Sequence, residues 1–108
     1  MVIGMLLLKF GSPYFSPTFA RGGLGAVFSA ELLGLSAGSS VDIEIQHKNI
    51  ADLNFAVLGA IPTLSAAGTD FVNLTGIKEQ VRLKYTVNGT TVLDGVNVNV
   101  LAPAWRPY

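Results

Sequence analysis

The stretch 81–100, VRLKYTVNGTTVLDGVNVNV, decides the fold class. Val81, Leu83, Tyr85 and Val87 alternate with Arg82, Lys84 and Thr86. Successive side chains of a strand point to opposite faces, so this pattern predicts a half-buried strand. Asn88-Gly89 tolerates the positive φ angles of a two-residue type I′ turn and predicts a hairpin into a short strand over 90–93. Asp94-Gly95 then reads as a second turn, or as a bulge inside one longer strand. Beyond it, Val96, Val98 and Val100 alternate with Asn97 and Asn99.

The same period of two recurs upstream. Val41, Ile43 and Ile45 alternate with Asp42, Glu44 and Gln46, and in 24–35 Phe28, Ala30 and Leu32 form the expected inward set before the turn-like SAGSS. The segment 49–60, NIADLNFAVLGA, fits two templates. Ile50, Leu53 and Val57 suit a helix, whereas Leu53, Phe55 and Val57 suit a strand, and its all-β surroundings favour the strand. The opening MVIGMLLLKF lacks a basic leader region and a small-residue cleavage site, and so reads as a strand rather than a signal peptide. Together these segments predict one all-β domain over 1–108, an antiparallel β-sandwich of about six to eight strands.

Composition narrows the function classes. Only 13% of the 108 residues are charged, against about 25% in an ordinary soluble domain. Seven basic residues balance seven acidic ones, with no run of either sign. Phosphate binding needs clustered Lys and Arg, so nucleic acid is not an expected partner. A charge-poor, neutral surface offers little repulsion between copies and favours self-association. Cysteine is absent, which excludes disulfides, thiolate nucleophiles and Cys-based metal sites. The run FAVLGAIPTLSAA is shorter than the roughly 20 residues of a membrane helix and is broken by Pro62, so no membrane span is expected.

Residues that carry chemistry are sparse. His47 is the single histidine, at a strand end, where a structural or merely exposed role is expected. Asp42 and Glu44 share a strand face at a spacing that could present paired carboxylates to a sugar or a cation, but a solvated sheet face is the favoured reading. Arg82 and Lys84 form a small basic stripe for solvation, cross-strand pairing or an acidic partner. No calcium-loop spacing and no G-x-S-x-G occurs. GGLGA, after Arg21, lacks the spacing of a phosphate loop and reads as flexible. The triplets at Asn73 and Asn88 match a glycosylation acceptor, but no leader accompanies them and the second reads as a turn. The chain is therefore expected to be no enzyme, with no cofactor and no metal.

Two segments depart from the sandwich pattern. In 10–23, Pro13 and Pro17 stand among Tyr14, Phe15 and Phe19, and in 102–108, Pro103 and Pro107 flank Trp105, Arg106 and Tyr108. Proline removes ladder donors, so neither segment suits a central strand. Burying the five aromatics would gain on the order of 25 kcal/mol at about 25 cal/mol per Å². Ordering about 18 residues costs on the order of 27 kcal/mol. Near balance predicts an extended N-terminal arm over 10–23 and a C-terminal tail over 102–108 that settle on a neighbour. Folding back over the parent sandwich is the alternative.

The succession SVDIEIQHKN, LNFAVLG, GIKEQVRLKYTVNG and PAWRPY, within 24–108, resembles small β-sandwich virion proteins of tailed bacteriophages, above all capsid decoration (cement) proteins. The resemblance implies a structural protein made in the host cytoplasm and carried on the capsid surface. Its implied partners are the major capsid protein and copies of itself, as a homo-dimer or homo-trimer. Tyr14, Phe15, Phe19, Trp105, Arg106 and Tyr108 are the expected assembly contacts. A neck or tail adaptor, and a carbohydrate-binding sandwich that stacks Trp105 on sugar rings, are the alternatives.

Overall fold

The computed structural model describes residues 4–91 and 94–108, which form ten strands and, among them, no helix. These are β1 (Gly4–Lys9), β2 (Tyr14–Phe15), β3 (Phe19–Ala20), β4 (Gly25–Leu35), β5 (Ser40–Lys48), β6 (Ala56–Leu64), β7 (Gly68–Thr75), β8 (Gln80–Asn88), β9 (Gly95–Val100) and β10 (Ala104–Arg106). They make two antiparallel sheets packed face to face, as the alternation predicts.

Four of the ten strands share positions. β2 and β3 follow one another along the same edge of β8, and β9 and β10 along the same edge of β4. The first sheet is therefore β1, β9/β10, β4, β7, and the second is β2/β3, β8, β5, β6. Counted as eight positions, the first pairs with the eighth, the second with the seventh, the third with the sixth and the fourth with the fifth. This is one long two-stranded ribbon rolled into a sandwich, the jelly-roll arrangement.

The core follows from the period-two segments. Ala26, Phe28, Ala30, Leu32, Val96, Val98 and Val100 face inward from the first sheet. Val41, Ile43, Ile45, Val81, Leu83, Tyr85 and Val87 meet them from the second. Gly59 on β6 is a packing glycine, since a Cβ there would stand 2.6 Å from a methyl of Leu74 on β7. Pro62 is accommodated because β6 is an edge strand, and the ladder to β5 is irregular there, jumping from Val41↔Leu64 to Ile43↔Ile61.

Three expectations need correction. Asn88-Gly89 makes no hairpin: β8 pairs with β5, whereas β9 crosses to the other sheet. Gly89 lacks a positive φ. Thr90 and Thr91 lie in a bend rather than a strand, and residues 92 and 93 lie outside the described residues. Asp94 organises this bend, its carboxylate accepting from the Thr90 N–H at 2.7 Å and the Thr91 N–H at 3.2 Å. These backbone bonds hold its carboxyl below the ordinary range.

The strand expected in 49–60 starts only at Ala56. Ahead of it, Asp52 accepts the Asn49 N–H at 2.9 Å and Lys48 donates to the Asp52 carbonyl at 3.0 Å, shaping a loop that leaves Leu53 94% exposed.

The glycines after Arg21 are sites of close approach rather than flexible links. A Cβ on Gly22 would lie 2.7 Å from the Trp105 ring, one on Gly23 2.2 Å from the Arg106 carbonyl oxygen, and one on Gly25 2.2 Å from that of Tyr108.

Candidate functional site

Those glycines explain where the C-terminal tail goes. β10 lies antiparallel on β4, pairing Ala104↔Val27, Trp105↔Ala26 and Arg106↔Gly25, so glycine on the β4 side lets the two chains close. The half-buried Trp105 ring meets Phe28 edge-on, with centroids 6.0 Å apart, and Phe19 at 6.4 Å. Phe19 reaches this point from the other sheet, because β3 pairs with β8 through Phe19↔Val81. The two aromatic segments thus meet over the core and close the gap between the sheets. Only about 10 Å³ of free space remains beneath them, beside Phe19, Phe28, Ile61 and Leu83.

The segment 10–23 is extended, but in the single chain it lies on its own domain, hydrogen-bonded to β8 through β2, β3 and the Ser16 N–H. Of the six expected contact residues, Phe19, Trp105 and Arg106 are packed intramolecularly. Arg106 lies over the Tyr108 ring at 5.7 Å and donates to the Leu74 carbonyl at 3.4 Å. Tyr14, Phe15 and Tyr108 remain exposed. An indole held against two other rings is poorly placed to stack on a sugar.

The outer face of the second sheet gathers the polar residues. Arg82 stands between two phenyl rings, its guanidinium 4.4 Å from the Phe15 centroid and 4.2 Å from that of Phe55, and donates to Gln46 Oε1 at 2.7 Å. Gln46 in turn donates to Glu44 at 2.6 Å. The basic stripe is thus absorbed on the Arg82 side by aromatic and amide partners.

Next to it is a hollow of about 510 Å³, lined by Asp42, Glu44, Ala60, Pro62, Thr63, Lys84 and Thr86. Asp42 is held at its rim by Thr63 and by the Asn88 amide, the latter at 2.8 Å. Lys84 pairs in register with Glu44, and the ion pair found among the described residues lies elsewhere, between Lys78 and Asp52 at 4.0 Å. Glu44 and Lys84 therefore present opposite charges to one hollow, an arrangement suited to hydroxyl-rich ligands.

His47 does not join this face. It is buried, its Nδ1 accepts the Lys78 N–H at 3.1 Å, and burial together with the Lys78 charge lowers its pKa. It anchors the β7–β8 turn to β5. Among the described residues no three His, Asp or Glu converge as a metal site.

Sequence reasoning passed over a group of exposed apolar residues. β6 and β7 are the edge strands of the two sheets on one side of the sandwich, and they pack against each other. Val57 on β6, Phe71 on β7, and Ile50 and Leu53 in the adjoining loop are all exposed. The absence of any charged residue from Leu53 to Thr69 was the available signal.

No family model, no curated protein and no solved structure matches the chain.

Proposed function

We propose that this protein is a structural virion subunit of a tailed phage, a capsid decoration protein bound in many copies to the outside of the major capsid lattice. The observation that carries the proposal is the open β6 edge, which bears no charged residue. Natural sheet edges are usually protected by charges, and an exposed apolar edge is a template for another chain. Here Pro62 is the one protective device on β6, and Val57 and Leu53 remain open, whereas on β7 Asp70 covers the N–H of the exposed Phe71. A surface of this kind suits a protein that spends its working life against neighbours, as a homo-dimer or homo-trimer and against the major capsid protein. Symmetric copies multiply a modest contact into firm attachment. The jelly-roll arrangement supports the reading by analogy of architecture, since viral capsid domains and lectins both use it.

The test is co-sedimentation with expanded phage capsids, with solution mass measured by light scattering. Stoichiometric binding to wild-type protein, lost in Leu53→Asp, is the expected result. Because Leu53 is almost wholly exposed, that substitution leaves the fold intact. Failure to bind capsids, or equal binding by the variant, refutes the proposal. Binding confined to one ring per particle points to a neck or tail adaptor instead.

A second reading rests on the hollow beside Glu44 and Lys84. As a carbohydrate-binding face it predicts glycan binding that Glu44→Gln abolishes while capsid binding persists.

A further inference from the structure

Hydrogen bonds two strands away from β6 show which of its main-chain groups face the free side. Leu83 on β8 turns both of its groups toward the N-terminal segment: its carbonyl accepts the Ser16 N–H at 2.9 Å, and its N–H donates to Ser16 Oγ at 2.8 Å. In an antiparallel ladder successive residues point their groups to opposite sides, and facing residues either exchange bonds or both turn away. Leu83 faces Ile45, and Ile45 faces Gly59. Ile45 therefore bonds to Gly59, as Ile43 does to Ile61, and Ala60 between them points its N–H and C=O out of the sheet. Pro62 has no N–H to offer, so the open stretch is short and centres on Ala60.

The occupant that this edge suits is a second copy of the chain. Near a two-fold axis each residue meets its own counterpart, so a charge there would face itself. Ala60 is exposed, small and uncharged, and no residue from Leu53 to Thr69 bears a charge. The nearest charge in the same row is Glu44, in register with Ala60 on β5. In a paired sheet Glu44 and its counterpart would stand three strand spacings apart, about 14 Å. That exceeds the screening length of about 8 Å at physiological ionic strength, so they would not force the copies apart.

We infer that two copies pair antiparallel along β6 with Ala60 of each on the two-fold axis, joining their second sheets into one continuous sheet. In this register Val57 of one copy falls beside Thr63 of the other, both of them exposed. The inference rests on the assembly reading and deepens it by naming how the copies meet. It also selects the homo-dimer over the homo-trimer, because an isologous contact closes at two.

Light scattering without capsids should give a solution mass of two chains that falls to one on dilution. Ala60→Lys and Ala60→Glu should each halve the mass, since each new charge faces itself, and mixing the two variants in equal amounts should restore it. Ala60 is exposed, so neither change should disturb the fold, which circular dichroism checks. The chain has no cysteine, so Ala60→Cys places a single thiol on the axis. Residues that exchange both ladder bonds lie about 5.5 Å apart at Cα, within disulfide range. Mild oxidation should link the Ala60→Cys protein into a covalent dimer and leave Ala66→Cys, away from the axis, unlinked. A one-chain mass up to millimolar protein, an undiminished mass in the charge variants, no restoration on mixing, or equal linking of the two cysteine variants would each overturn the inference. Because no capsid is present, these outcomes are separate from the capsid-binding test: a dimer that ignores capsids sinks the decoration reading alone, and a monomer that binds them sinks the β6 pairing alone.

Discussion

Trp105→Ala, alone and combined with Gly23→Ala, tests whether the two aromatic segments act as one closure. Replacing a fully buried Trp or Phe by Ala costs about 3–5 kcal/mol, and the half-buried Trp105 should give about half of that. Its edge-to-face contacts with Phe19 and Phe28 add about 0.5–1.5 kcal/mol each. The expected loss is therefore about 4 kcal/mol, within a range of about 2.5–5.5 kcal/mol. Gly23→Ala attacks the same closure from the opposite side, because its Cβ would fall 2.2 Å from the Arg106 carbonyl oxygen. Gly23 does not have a positive φ, so alanine can adopt its backbone conformation and the cost is steric. Lifting β10 off β4 should also release the indole, and the Gly23→Ala protein should show red-shifted emission from Trp105, the chain's single tryptophan. Once the tail is lifted, Trp105→Ala has little left to remove. Urea unfolding followed by circular dichroism should then give a double-variant loss about 1.5–2 kcal/mol short of the sum of the single losses. Additivity within about 0.5 kcal/mol would mean that the two sites are independent and that the closure does not exist.

Tyr85→Phe should stabilise the protein by about 1–3 kcal/mol, because a buried hydroxyl without a partner among the described residues is removed; a loss of stability in urea unfolding would show that the hydroxyl is paired after all. The folded pKa of about 12 lies above the ordinary tyrosine value of about 10, so the unfolded chain releases its proton first and wild-type stability should fall as pH rises from 10 to 12. That fall is worth about 2.7 kcal/mol for a two-unit shift, and the part due to Tyr85 should be missing in the variant. His47 has the opposite sense: its depressed pKa means that the unfolded chain takes up the proton first, so its contribution is complete above pH 6.5 and lost as the pH falls below it. Unfolding curves at pH 7.5 and 5 should show the loss in wild type and a smaller one in His47→Gln. Val57→Lys places a charge on the open β6 edge and should lower the solution mass seen by light scattering without changing the unfolding midpoint by more than about 0.5 kcal/mol equivalent.

The alternating stretches of β4, β5, β8 and β9 were legible because each buries one face, and their inward residues are the core residues found. β7 was not legible: Phe71 points outward among the polar positions of DFVNLT and blurs the alternation. Asn88-Gly89 misled because turn propensity is local, whereas the partner of β9 is chosen by distant strands β1 and β4. Asp94, which shapes the bend instead, makes its key bonds to main-chain N–H groups that no side-chain pattern advertises. The glycines at 22, 23 and 25 looked like slack for a related reason, since their role depends on a tail some eighty residues away. Of the candidate site, the aromatic residues could be picked out, but not the partners that four of them, Phe15, Phe19, Trp105 and Tyr108, find within the chain. The orphaned Tyr85 hydroxyl was hidden because an inward tyrosine in an apolar row looks like any other core residue.

The rolled ribbon also sets an order of events during synthesis. β5 and β6 are neighbours in sequence and can pair as soon as both have left the ribosome, whereas β1 waits for β9, and the second edge of β4 waits for residues 95–106. The first sheet thus cannot be completed on a nascent chain that stops before Arg106. Until then the inward row of β4, from Ala26 to Leu32, lacks its full cover, and the hazard of sticking to other nascent chains persists. Distant pairing of this kind also slows folding, because long loops must close before their contacts contribute. Zippering outward from the β5–β6 turn therefore ends with Trp105 seating against Phe19 and Phe28, and truncation before that residue should leave the β4 edge at Gly25–Val27 without its last partner.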